Sequence, residues 1–318
     1  MALKTLNEML LNSRNKFKDR PAFKIKKGGH FKAISYDEFY DMVTQFGTGL
    51  LELGIKKGDH IGLITENRLE WIVSDMAIIG IGAVDVPASG NSYSQDIAFK
   101  LSHSDSIATI LEGEKVFTEF LKVFSELPNI KNIILLDKVE VFSEPDEAPE
   151  WAKTSPFQVN GEISKPFYRK ICSVLGSDSS FLLISEKAKI FLEKYWKEQG
   201  KELSINLDLS GDMELGKRLG DKLRIIKKGN IENLPAIYYF SQLEKMGKEA
   251  LLKGDRRFFN ISQQALPDDL ITIIYTSGTT SDPKGVMLTH RNIMHNVVNV
   301  PLTVGDFNEN DRFLSVLP

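Results

Sequence analysis

Cysteine is almost missing: Cys172 stands alone in 318 residues. No disulfide can close within the chain, and a reducing compartment fits that usage. A charge excess is missing as well. Forty Lys and Arg face 43 Asp and Glu, a formal net charge of −3, with no long Lys/Arg run, so the basic footprint that nucleic acid requires is absent. Long apolar runs are lacking too. The longest uncharged one, Met76 to Val84, falls far short of the ~18 residues that suggest a membrane span. The opening stretch MALKTLNEMLLNSRNKFKDR has no apolar core and no cleavage site, so it does not read as a secretory signal. These absences lead to the expectation of a soluble cytoplasmic protein, with room for peripheral contact at the inner face of a membrane.

What is present is ordinary globular material. Hydrophobic residues make up 42% and charged ones 26%, which excludes a disordered tail and a collagen-like fibre. The length predicts about two domains or one large one. Leu3, Leu6, Leu10 and Phe17 recur at helical spacing, so an amphipathic helix should open the chain. Ser35 and Glu38 form a capping box for a helix carrying Phe39, Met42, Val43, Phe46, Leu50 and Leu53, stopped at Gly54. Then come a strand at 60–64, a helix at Glu70 to Gly82, a strand at 83–87, a helix at 94–104 and a strand at 107–111. A helix at 114–126 and a strand at 132–136 complete the series. Strands alternating with helices predict crossover units and a mostly parallel sheet.

After Asp137 the rhythm breaks. Residues 138–160 carry Pro145, Pro149, Pro156 and several acids, as a surface linker would. A charged helix is expected at 186–200, a short strand at 203–210 and a helix at 240–254. The strand rhythm resumes at LITIIYT (270–276). Residues 1–137 and 265–318 are therefore expected to form one unit, and 138–264 an inserted α/β subdomain.

Chemistry concentrates in YTSGTTSDPKG (275–285), between LITIIYT and a second expected strand, GVMLT (285–289). Four hydroxyls (Thr276, Ser277, Thr279, Thr280) surround Gly278, and Pro283-Lys284-Gly285 follows. Glycine lets backbone N–H groups converge on an anion, hydroxyls add donors without bulk, and Lys284 supplies a compact positive charge. A turn that merely joins two strands has the same composition. A Walker loop is excluded here, because Pro283 stands where that motif needs glycine.

The whole string YTSGTTSDPKGVMLTHRN closely resembles the phosphate-binding signature of the adenylate-forming enzymes, the superfamily of acyl-CoA synthetases, luciferases and peptide-synthetase adenylation domains. Ser281 departs from it, replacing a glycine. ISYDEF, GIKKGDHIGLITENRLEWIVSDMAIIGIGAVDVP and DDLITIIYTSGTT follow the family's order. FSQLEKMGKEALLKGD is similar to a segment of long-chain fatty acid–CoA ligases. The resemblance implies the N-terminal portion of that α/β fold, with mostly parallel sheets flanked by helices and an inserted subdomain. It also implies an activity: a long-chain fatty acid attacks ATP, with Mg2+, to give acyl-adenylate, and CoA then takes the acyl group. Thr276, Ser277, Gly278, Thr279, Thr280 and Lys284 would cradle the β- and γ-phosphates.

Relatives continue past DRFLSVLP (311–318) with a histidine-bearing segment, an adenine-binding motif and a threonine–glutamate pair for Mg2+. A ribose-binding aspartate and a C-terminal domain with a catalytic lysine follow. The chain is thus expected to be roughly the first half of a ligase, catalytically incomplete, with catalytic and metal-binding residues beyond Pro318. Two alternatives stand beside this: a non-catalytic remnant or nucleotide-binding protein, and an acyl-AMP ligase that loads a carrier protein.

Other features carry less. Gly211 to Lys217 fits GxxxxGK, but Arg218 replaces the Mg2+-holding hydroxyl, and Asp212 and Glu214 would repel phosphate. Gly80-x-Gly82 lacks the third glycine of a dinucleotide fingerprint. His290 and His295, five apart, cannot share a metal on a helix, and a local structural role is expected for His290. Cys172 has no adjacent base, Trp71 reads as core, and the Lys/Glu alternation in 186–202 as a solvated face.

Overall fold

A computed structural model describes residues 3–137, 181–185, 223–227, 236–276, 283–305 and 308–315. The N-terminal helix α1 spans Leu6–Phe17, capped by the Thr5 hydroxyl accepting from the Glu8 N–H. A hairpin follows, β1 (Pro21–Lys27) and β2 (His30–Ser35), turning on Gly28 and Gly29 at φ +57° and +84°. Positive φ at two adjacent residues is what a tight hairpin demands and glycine gives freely. Next comes α2 (Tyr36–Glu52), opened by the expected reciprocal Ser35–Glu38 box.

The alternating series then runs β3 (His60–Ile64), α3 (Leu69–Gly80), β4 (Val84–Ala88), α4 (Ser94–His103), β5 (Ala108–Leu111), α5 (Glu114–Val123) and β6 (Asn132–Leu135). Two ends differ from the sequence reading. α3 stops at Gly80, where Ile81 and Gly82 (φ +71°) turn the chain. The last turn expected of α5 is a 3-10 turn, Phe124–Glu126. After β7 (Phe181–Ser185), β8 (Leu223–Lys227) and β9 (Ala236–Tyr239) come α6 (Phe240–Leu252), α7 (Arg257–Gln263), β10 (Leu270–Thr276), β11 (Lys284–Thr289) and α8 (His290–Val304).

One sheet of nine described strands runs β11-β10-β4-β3-β5-β6-β9-β8-β7. β10, β4, β3, β5, β6 and β9 are mutually parallel, while β11 at one edge runs antiparallel to β10, and at the other β8 runs antiparallel to its neighbours β9 and β7. This is the α/β architecture with a mostly parallel sheet that the sequence led one to expect. Strands covered on both faces need near-continuous apolar runs, and β3 and β5 have them: Ile61, Leu63, Ile110 and Leu111 have no exposed surface. α2 fills one face with Val43, Phe46 and Leu50, and Phe46 stacks on Phe240 of α6 at 4.3 Å.

Within 138–264 the described strands extend this same sheet, β9 pairing with β6. The linker expected at 138–160, the helix at 186–200, the strand at 203–210, Cys172 and the Gly211–Arg218 string lie outside the described residues.

Candidate functional site

β10 and β11 form an antiparallel hairpin in which Thr276 and Lys284 are Cα partners. The two ends of the expected phosphate loop are therefore held side by side at the sheet. Both are exposed, and Lys284 makes no ion pair among the described residues. Of the six expected phosphate-binding residues, Thr276 and Lys284 are described. Ser277, Gly278, Thr279 and Thr280 lie outside the described residues.

The two described ends of the loop sit where an open α/β sheet keeps its ligands. β10 runs parallel to β4, with Thr272 opposite Asp85, so Thr276 lies at the carboxyl ends of the parallel strands, the edge at which such sheets bind ligands. α4 fixes its approach. Tyr275 bonds through its hydroxyl to His103 Nδ1 at 2.8 Å, and its ring meets Phe99 edge-on at 5.9 Å. Burial raises the Tyr275 phenol above its usual range, which keeps it neutral there.

A polar rim lines the same carboxyl edge. Ser89 and the Asn91 amide donate to Glu66 at 2.7 and 3.0 Å, and Lys115 donates to the Asn91 carbonyl at 2.6 Å. Glu112 accepts the Glu66 N–H at 3.0 Å. Arg68 holds Asp137 with both guanidinium ends at 2.8 Å and Glu70 through Nε at 2.8 Å. Those carboxylates, Asp137 first, keep Arg68 firmly protonated. Burial, with Glu70 adding repulsion, pushes Glu244 up to about 7. None of these residues was singled out from sequence, nor were Phe99 and His103. The available signal was position: Glu66, Ser89 and Glu112 each lie within two residues of the end of an expected strand.

At the other end of β10 the hairpin is rooted. The His290 and Arg291 N–H groups donate to the Asp269 and Pro267 carbonyls at 3.2 and 2.7 Å, and Asp269 pairs with Lys57 at 2.7 Å. His290, 1% exposed, accepts the Leu6 N–H on Nδ1 at 3.1 Å. It thereby ties the hairpin to α1, the structural role expected of it. Lys57, Asp269 and His290 line a cavity of about 220 Å³ at the root, away from Thr276. Burial lowers His290 to about 4, so the native imidazole is neutral. The unfolded chain takes up that proton near pH 6.5 and the native one only near 4. Stability from this group is complete above about pH 6.5 and is lost as pH falls toward 4. His290→Phe should cost about 1–2 kcal/mol at pH 7 and flatten the dependence between pH 6.5 and 4. Urea unfolding at pH 7 and pH 5 measures both effects.

Among the described residues no three His, Cys, Asp or Glu side chains are grouped to hold a metal, and no helix is long and apolar enough to cross a membrane. Comparison with known proteins adds to this geometry. A family profile described as "AMP-binding enzyme" matches residues 11–318. A chloroplastic long-chain-fatty-acid–[acyl-carrier-protein] ligase of Arabidopsis thaliana is 25% identical over 320 residues, 99% of this chain and 32% of the relative. Fatty acyl-CoA synthetase A of Dictyostelium discoideum is 25% identical over 294 residues, 92% of this chain and 30% of that one. The chain spans about a third of the length of these curated relatives. Among solved structures, the adenylation domain of a carboxylate reductase from Mycobacterium chelonae superposes with a TM-score of 0.51 at 14% identity, covering 92% of this chain and 35% of that one. That likeness speaks to the fold alone.

Proposed function

The chain belongs to the AMP-binding enzyme family, and from that premise we propose that it carries the phosphate-binding part of an ATP-dependent fatty-acyl ligase. One observation supports this reading above the others. Thr276 and Lys284 are cross-strand partners at the carboxyl edge of a parallel sheet, bracketing a loop of four hydroxyls and a glycine. In the reaction, a carboxylate oxygen of the fatty acid bonds to the α-phosphorus of ATP. The bond from that phosphorus to the bridging oxygen breaks, and pyrophosphate leaves with the electron pair. A thiol then attacks the acyl carbon of the mixed anhydride, releasing AMP.

The loop's work is to hold the β- and γ-phosphates and neutralise the charge that grows as they depart. Thr276, Ser277, Thr279 and Thr280 supply donors, Gly278 allows close backbone approach, and Lys284 supplies the charge.

Hydrogen bonds to a charged group are worth about 1.5–3 kcal/mol each. Lys284→Ala should therefore weaken ATP binding by roughly 10- to 100-fold while leaving the unfolding midpoint unchanged, since Lys284 is exposed. Calorimetric titration of ATP into both proteins checks it, and equal affinities would sink the proposal.

A second reading concerns the thiol. One relative is named for transfer to acyl carrier protein and another for CoA. Either acceptor suits the adenylate chemistry. Thioester formation with CoA against holo acyl carrier protein, fed with the same fatty acid and ATP, separates them.

A further inference from the structure

The β1–β2 hairpin and the residues that lead into it are rich in cations, and the function proposed above makes no use of them. Residues 16–32 hold seven cations, Lys16, Lys18, Arg20, Lys24, Lys26, Lys27 and Lys32, against one acid, Asp19. The chain as a whole is net negative, so the remainder is correspondingly more acidic. Such a distribution turns one end of the molecule toward an anionic surface and the rest away from it.

Register shows how the hairpin is built. Lys24 lies opposite Ala33, and Lys26 opposite Phe31, so these four share one face. The other face carries Phe23 and Ile34, with Phe23 packed edge-on against Phe39 of α2 at 4.8 Å. The Lys24/Lys26/Phe31 face therefore looks outward, and Phe31 is 69% exposed. Lys24, Lys26 and Lys32 are exposed and form no ion pair among the described residues. Acids do come near other cations: Glu309 takes Lys16 and Arg20, and Glu38 attracts Lys32. Among the described residues Lys24 and Lys26 have no such neighbour.

We propose that this hairpin docks the protein on an anionic lipid surface, with Phe31 entering the headgroup layer and Lys24 and Lys26, on the same face, meeting lipid phosphates. An aromatic ring with lysines beside it suits a bilayer interface, where the ring finds apolar depth and the long lysine stems keep their charge at the headgroups. A polynucleotide calls instead for a longer stripe of cations that neutralises many phosphates at once. The inference stands on the hairpin alone and does not rest on the reading of the phosphate loop.

Each lysine near an anionic leaflet contributes about fivefold in partitioning. The chain should co-sediment with vesicles of phosphatidylcholine containing a third phosphatidylserine, release in high salt, and ignore pure phosphatidylcholine. Lys24→Gln/Lys26→Gln should lower partitioning at least tenfold, and Phe31→Ser should lower it as well. All three positions are exposed, so both variants should keep the wild-type unfolding midpoint. Equal binding to neutral and anionic vesicles overturns the proposal, as does wild-type partitioning by the double variant. Binding to a short DNA duplex at protein concentrations where the anionic vesicles pellet none of the chain overturns it too, in favour of a nucleic-acid surface.

Discussion

Gly247→Val should leave the chain unable to hold its native fold, and Gly247→Ala should already cost about 3 kcal/mol or more. The reason is backbone contact between α2 and α6, the most extensive helix pairing among the described elements. A Cβ at Gly247 would stand 1.8 Å from the Gln45 carbonyl oxygen and 2.7 Å from the Gly49 nitrogen. From the other side, a Cβ at Gly49 would stand 2.3 Å from the Leu243 carbonyl oxygen. No rotamer relieves a clash between main chains, so the helices must move apart. That would open the contact in which Phe46, Leu243 and Phe240 are buried. A domain has only about 5–15 kcal/mol in hand, and the valine should exhaust much of it. Urea denaturation followed by circular dichroism measures the loss. An alanine variant within about 0.5 kcal/mol of wild type, the range of an ordinary surface change, would show that the helices do not meet this closely.

Asp85→Asn should do the opposite and stabilise the protein at pH 8, by roughly 1–3 kcal/mol. Asp85 is 1% exposed in the middle of the sheet, and its Oδ1 has no hydrogen-bond partner. Its carboxyl group meets that of Asp75 on α3 in a side-chain hydrogen bond, a contact that needs a proton between them. Burial is the main cause that raises both groups, Asp75 to about 7 and Asp85 well above the usual carboxylate range. The sign follows from proton counting. Above about pH 4 the unfolded chain releases protons that the native pair keeps, so stability from this pair falls as pH rises from about 4 toward 7 and beyond. Asparagine supplies an amide N–H to Asp75 with no proton to lose, and the decline should flatten. Unfolding free energies at pH 5 and pH 8 provide the check. A variant that loses stability at pH 8 would mean that the Asp85 charge is compensated in the native state. This trend runs against that of His290, so the wild-type profile should be broad, with each variant tilting it in its own direction.

Much of the sheet was legible because its strands are buried on both faces. HIGLI and LITIIYT read as strands from continuous apolar content, and β3 and β10 occupy those spans. The Ser35–Glu38 box was legible because capping is local chemistry. The β1–β2 hairpin went unread, although Gly28-Gly29 between alternating residues is a hairpin signal. Its outward face is lysine, which by itself reads as loop. The polar rim, the Asp75–Asp85 pair and the hold of His103 on Tyr275 were out of reach for another reason. Each joins side chains from separate elements, and only the folded sheet decides which of many Asp, Glu and His residues meet. The string proposed to bind phosphate was legible as such, and its two ends, Thr276 and Lys284, are partners at the carboxyl edge of the sheet.

The pairing of Thr272 with Asp85 also sets an order of assembly. β3, β4, β5 and β6 pair with strands close to them along the chain, and such contacts form early because little loop entropy must be spent. β10 reaches β4 only after well over a hundred intervening residues have been made. During synthesis the first five helices and four central strands can therefore settle while the later strands are still unmade. The hairpin with Thr276 and Lys284 joins last, beside a β4 edge that has been waiting for it. Under the function proposed above, a half-made chain then has no means of gripping a polyphosphate, and nucleotide capture begins only when the sheet is closed along that edge.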